Sequence, residues 1–169
     1  MIYIITGKTK SVKTSKLIEM YHNDKQGDGF VFPRINKDNK LYGYECLRLS
    51  NNQVKSFKLL EQYYQLEPNY DQEFAGFKYS SNVYQEILID IKRMIKEKVN
   101  PIYLDGIGQL ELLKKGNDEA FLYALRSKID IVISVPDTLV RKVINHYRLK
   151  DYKIISVKYK TLQIHPFYN

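Results

Sequence analysis

Between residues 7 and 14 the chain reads Gly7-Lys8-Thr9-Lys10-Ser11-Val12-Lys13-Thr14. A lysine and a hydroxyl residue, set a few positions after a glycine, can hold phosphate. Backbone N–H groups and the ammonium meet phosphate oxygens, and the hydroxyl oxygen meets Mg²⁺. The full pattern is Gly-x-x-x-x-Gly-Lys followed by Ser or Thr, and Gly7, Lys13 and Thr14 match it. Val12 stands at the second glycine, where a β-branched side chain is the poorest fit to a backbone that must turn its N–H groups toward an anion. A basic turn of solvated lysines, Lys8, Lys10, Lys13 and Lys16, is the bland alternative. Position favours the phosphate reading, because a helix N-terminus binds anions without help from that glycine. Gly7, Lys8, Thr9, Lys10, Ser11, Val12, Lys13, Thr14 and Ser15 are thus candidate nucleotide contacts, with Lys13 the candidate catalytic cation.

A second signal is Ile102-Tyr103-Leu104-Asp105, an apolar strand that delivers one carboxylate at its carboxyl end. Phosphate-binding α/β proteins place a Mg²⁺-holding aspartate there, although an isolated aspartate at a strand end is more often a turn former. Thr14 and Asp105 together are the candidate metal ligands. His22, His146 and His165 stand alone, without a partner at ligand spacing, so packing or surface roles outrank metal binding. Cys46 lies in an apolar run and reads as a small buried side chain. Tyr63, Tyr64 and Tyr70 sit among carboxylates, which argues for a loop packing its own rings rather than stacking on bases.

These residues need a frame that brings residue 14 to residue 105. Ile2-Tyr3-Ile4-Ile5 predicts a strand buried on both faces, and Leu17, Ile18 and Tyr21 predict a helix over 14–21. Residues 29–34 and 41–49 read as an antiparallel hairpin around Asn36-Lys37-Asp38-Asn39, with 51–60 a further strand. Residues 61–73 carry Glu61, Glu67, Asp71 and Glu73 with Pro68 and no Lys or Arg, which predicts an acidic loop. Val83, Ile87, Ile91 and Ile95, widened by Leu88 and Met94, form a helical stripe over 81–98. Asn117 is placed to cap a helix containing Phe121, Leu122 and Leu125. Residues 129–133 read as a strand, after which Ser134, Pro136 and Asp137 are helix-start signals, and 153–157 and 161–165 read as strands. Strands alternating with helices predict a mostly parallel sheet with helices on both faces and the hairpin inserted.

In order and spacing, several pieces resemble the cancer-related nucleoside-triphosphatase family. They are Ile5-Thr6-Gly7, the loop to Thr14, Gly29-Phe30, Gly43-Tyr44 and Leu104-Asp105-Gly106-Ile107-Gly108-Gln109-Leu110-Glu111-Leu112. The resemblance implies a P-loop NTPase-like domain over residues 1–169, an ATP- or GTP-binding function and a Mg²⁺ cofactor. It makes Glu111 the second acidic position and Ser134 the polar residue facing the terminal phosphate, a place that equally suits a helix cap. Three positions depart from the family: Val12 in the loop, Gly106 where a water-orienting glutamate is expected, and Leu41 where an arginine is expected. The lost base alone removes about 10²- to 10⁴-fold. Hydrolysis is therefore expected to be weak or lost, with Glu111 the substitute base and Lys8, Lys10 or Lys40 the substitute cation. Val12→Gly with Gly106→Glu is then expected to raise turnover.

Composition sets the outer bounds. The 169 residues carry 27 Lys+Arg against 19 Asp+Glu, a net charge of +8 that favours anionic partners. One cysteine excludes an intrachain disulfide and fits a reducing cytoplasm. No run approaches the roughly 18 apolar residues of a membrane span. Nucleic acid rests on charge alone, with no recognition motif. Two other readings stay open. One is a non-catalytic module that binds a protein or nucleic acid, and the other is a kinase that hands the phosphoryl group to a hydroxyl instead of water, although no arginine-rich lid is evident.

Overall fold

Ile4 and Ile5 are adjacent and both fully buried, yet they belong to different apolar clusters. That is the period-2 alternation of a strand covered on both faces. The strand is β1 (Ile2–Gly7), and it lies inside a ten-stranded sheet. The computed structural model describes residues 1–8, 10–64 and 70–158.

β1 leads into α1 (Lys10–Asp24). The chain continues through β2 (Asp28–Val31), β3 (Arg34–Lys37), β4 (Lys40–Arg48), β5 (Val54–Leu60), β6 (Gln72–Phe74) and β7 (Phe77–Tyr79). Then come α2 (Ser81–Lys96), β8 (Ile102–Leu104), α3 (Gln109–Leu112), α4 (Asp118–Leu125), β9 (Ile131–Pro136), α5 (Val140–His146) and β10 (Tyr152–Ser156). The strand order is β10-β1-β9-β8-β2-β4-β5-β7-β6, with β3 paired to β4 off this path. The neighbours from β10 to β2 pair in parallel, and those from β2 to β6 pair antiparallel. Leu17 of α1 packs with Ile5, Val31 and Val132 on one face. The stripe of α2, with Ala120, Phe121, Ala124 and Val143, covers the other. The expected α/β architecture, with helices on both faces and an inserted antiparallel hairpin, is what forms.

Three expectations need correction. Residues 61–73 are more than a loop: Glu61–Tyr63 form a 3₁₀ turn, and β6 and β7 make a second hairpin that extends the sheet. Ala75 and Gly76, at φ +51° and +75°, form its two-residue turn. Both centres at positive φ match the twist of the flanking strands. Three-residue strands are too short to display alternation, which is why composition alone read as loop. Glu67 and Pro68 lie outside the described residues, as does the strand expected over 161–165. Tyr64 and Tyr70 do pack on each other, edge to face at 6.1 Å, with Tyr70 buried.

The second correction is at Asn117, which holds the N-cap position of α4 but makes no side-chain capping bond. The third concerns Ser134, which does not cap a helix. It lies within β9, and the 3₁₀ turn Asp137–Leu139 and α5 follow.

Candidate functional site

Parallel pairing brings the carboxyl ends of β1, β9 and β8 side by side. Gly7 lies opposite Pro136 and Ile5 opposite Ser134, while Leu104 lies opposite Ile133, so Asp105 leaves β8 next to Ser134. Ligands of such sheets bind at this edge. Thr14 comes from the first turns of α1, which β1 delivers to the same edge.

Asp105 is completely buried. Its Oδ2 accepts Thr14 Oγ1–H at 2.7 Å and the Phe32 N–H at 2.9 Å. Its Oδ1 accepts the Ser134 hydroxyl, whose oxygen in turn accepts the Gly106 N–H at 2.8 Å. Residues 14, 32, 105, 106 and 134 thus form one buried polar network, and a buried carboxylate is tolerable only when satisfied in this way. Lys13 is also buried, and its Nζ donates to Gly7 O at 2.9 Å. Burial pulls its pKa below 10.5, and the negative charges of Asp105 and Asp137 hold it back. The ammonium is therefore close to the network, partly desolvated, and spends a bond on the loop's own carbonyl.

The other candidates fall as follows. Gly7 is buried, and a Cβ there would stand 2.7 Å from Val157 O, so the close approach of the chain just after β10 requires glycine. Lys8 and Ser15 are exposed. Thr9 lies outside the described residues, and only the backbone of Lys10 and Ser11, which opens α1, is described. Val12 corrects an expectation. It sits in the first turn of α1 in helical conformation, which a β-branched residue adopts without strain. The helix begins ahead of Lys13, so Val12 stands in helix rather than in the loop before it.

Glu111 is the larger surprise. Its Oε2 accepts the Gly108 N–H at 2.8 Å and its Oε1 the Asn117 N–H at 3.0 Å, so the buried carboxylate ties the start of α3 to the start of α4. Gly116 allows this, since a Cβ there would come within 2.5 Å of Oε1. Gly106 has φ +79°. A glutamate at that position would be held in the left-handed region, so the expected gain from Gly106→Glu meets a backbone obstacle.

Sequence reasoning missed the Phe32 N–H, the Asp137 charge beside Lys13, and Lys58 and Asn117, which line a cavity with Gly106. No spacing signals them, because they converge only through sheet pairing. Cys46 is buried, which pushes its thiol pKa up to about 12 and leaves it inert as a nucleophile. His22 and His146 are exposed, and His165 lies outside the described residues.

The donor set fits Mg²⁺. Thr14 and Asp105 offer hard oxygen atoms 2.7 Å apart. Among the described residues no three His, Cys, Asp or Glu side chains gather to hold a metal unaided. Mg²⁺ is typically held by one or two protein oxygens together with phosphate and water.

A family model described as NTPase matches residues 2–165. The chain belongs to the NTPase family. Two solved structures share the fold of this NTPase-family chain. One is the crystal structure of THEP1 from the hyperthermophile Aquifex aeolicus, with a TM-score of 0.71 at 18% identity over 97% of this chain and 94% of that one. The other is the solution structure of a human cancer-related nucleoside triphosphatase, with a TM-score of 0.62 at 16% identity over 95% and 90%. Comparison with curated proteins gives no match. Family and fold together support an NTPase-like, nucleotide-binding function. Among the described residues no helix is long and apolar enough to cross a membrane.

Proposed function

We propose that the protein binds ATP or GTP with Mg²⁺ at the edge formed by Gly7, α1, Asp105 and Ser134, and hydrolyses it slowly. The observation that carries the reading is the buried Thr14–Asp105–Ser134 network beside the buried Lys13. An ammonium at the start of a helix, where the backbone favours an anion, and metal-binding oxygens beside it are the complement of a polyphosphate.

Lys13 would exchange its bond to Gly7 O for a phosphate oxygen and stabilise charge building there in the transition state. Thr14 and Asp105 would hold the Mg²⁺, which when bound neutralises charge on the phosphate oxygens. Ser134 keeps Asp105 and the Gly106 N–H in place. Nothing at Gly106 can take a proton, and Glu111 is held by two backbone N–H groups, so neither position supplies a base to the attacking water. Slow turnover follows. A buried thiol at Cys46 is compatible with a reducing cytoplasm.

Calorimetric titration of ATP and GTP with Mg²⁺ into the wild type and Lys13→Ala tests this. Saturable binding lost in the variant supports the reading. Binding indifferent to Lys13 would reduce it to attraction by a basic surface.

A further inference from the structure

Lys13, the buried cation of the phosphate site, approaches from α1. The oxygens of a terminal phosphate carry charge through the transfer and gain from a second cation. Lys40, one of the substitutes the sequence offers, pairs with Lys37 at the exposed tip of the β3–β4 hairpin. Beyond Asp105 the fold places a different lysine. A cavity of about 150 Å³ is lined by Gly106, the residue after Asp105, and by Phe32, Phe57, Lys58 and Gly108 among others.

Three observations set Lys58 toward the phosphate site. The first is in the backbone. β4 and β5 pair Glu45 with Ser56 but Tyr44 with Lys58, so Phe57 is an extra residue on β5. Strict alternation would send Phe57 and Lys58 to opposite faces. A bulge re-aims side chains, and here both line the same cavity. The second is the setting of the ammonium. Its Nζ lies 3.8 Å from the centre of the Phe77 ring, 4.6 Å from Tyr79 and 5.0 Å from Tyr44. Ring faces attract a cation without cancelling its charge. The third is the link to Asp105. Burial raises the pKa of the Tyr44 hydroxyl, Arg34 lowers it, and the Asp105 charge raises it again, so a ring that holds Lys58 lies within electrostatic reach of that carboxylate. Phe32 makes the same link, since its N–H donates to Asp105 Oδ2 while its ring stacks on Phe57.

We propose that Lys58 is a second catalytic cation, which reaches from this cavity past Gly106 to the oxygens of the terminal phosphate. The inference rests on the nucleotide reading above. A lysine carries its charge on a flexible four-carbon stem, so the ammonium can leave the rings for an anion without moving β5. Gly106 has no side chain to stand between the two. Lys58 stabilises charge and supplies no base, which agrees with hydrolysis that is slow. Its contribution falls on the one phosphate that ATP has and ADP lacks.

The test titrates Mg-ATP and Mg-ADP into the wild type, Lys58→Gln and Lys55→Gln. Lys55 lies on the same strand and pairs with Glu86, so its loss removes equal charge away from the cavity. Lys58→Gln should weaken ATP by about tenfold and ADP by less than about twofold. Phosphate release at saturating Mg-ATP should fall by about a hundredfold, the scale of one lost preorganised donor. Lys58→Arg, which keeps the charge, should recover most of the ATP affinity. Lys55→Gln should leave both the preference for ATP over ADP and the rate unchanged. Lys58→Met, whose apolar stem still packs on the rings, serves the same purpose should Lys58→Gln fail to fold. Three results each overturn the assignment: an unchanged preference for ATP over ADP, an equal loss of both nucleotides, or the same change in Lys55→Gln. Absence of ATP binding by the wild type overturns instead the phosphate site, and the part of Lys58 with it.

Discussion

Asp105 shows why residue type and spacing carried part of the site and not the rest. A buried carboxylate must be satisfied, and Thr14, Phe32 and Ser134 satisfy it. Lys13, Thr14, Asp105 and Ser134 stand out in the sequence as residue types that suit phosphate and Mg²⁺ chemistry, and the fold brings them together from α1, the end of β8 and β9. The backbone at Val12 and Gly106 was illegible because letters carry no backbone angles. Val12 lies in helix and is unstrained, while Gly106 at φ +79° is a glycine by geometry. Gly106→Glu should therefore cost about 1–2 kcal/mol of stability, the penalty of an L side chain in the left-handed region. It should also leave phosphate release from ATP no faster than in the wild type. Urea unfolding and a phosphate-release assay check the two halves, and a steep rise in release would restore the reading of Gly106 as a lost base.

Elements were legible in proportion to their length. The stripe of α2 and the all-apolar β1 declared themselves, whereas β6 and β7 are too short to show a pattern and are defined only by their partners. The stretch from Gly108 to Asn117 was illegible for another reason. Its shape depends on where Glu111 points, and an acidic residue in a sequence gives no direction. In the fold Glu111 is the clasp of two short helices. Tyr147 adds to it, with its hydroxyl donating to Asp118 Oδ1 at 2.6 Å and lying 3.2 Å from Glu111 O. Glu111→Gln keeps one acceptor oxygen and turns an NH₂ group toward a backbone donor. One buried N–H then goes unsatisfied, at a cost of about 1–3 kcal/mol. Thermal unfolding should fall by several degrees while nucleotide affinity stays within about twofold. Loss of hydrolysis with unchanged stability would instead make Glu111 the base.

At the scale of the whole molecule, the +8 charge and the built phosphate site both attract a polyanion, and salt separates them. Long-range attraction is screened as the Debye length falls from about 10 Å at 0.1 M to about 3 Å at 1 M. Contacts to a buried ammonium and to a metal held by buried oxygens are screened much less. A ligand that binds only the folded chain also stabilises it, by about 2.7 kcal/mol at one hundred times its Kd. Mg-ATP should therefore raise the melting temperature by several degrees, and most of that rise should persist in 1 M salt once the ligand is again saturating. Lys13→Ala should abolish the rise at both salt concentrations, because it removes the buried cation and leaves the surface lysines in place. A rise that survives Lys13→Ala at low salt and vanishes at high salt would assign the binding to the basic surface, and the network around Asp105 would then serve only to join β8, β9 and α1.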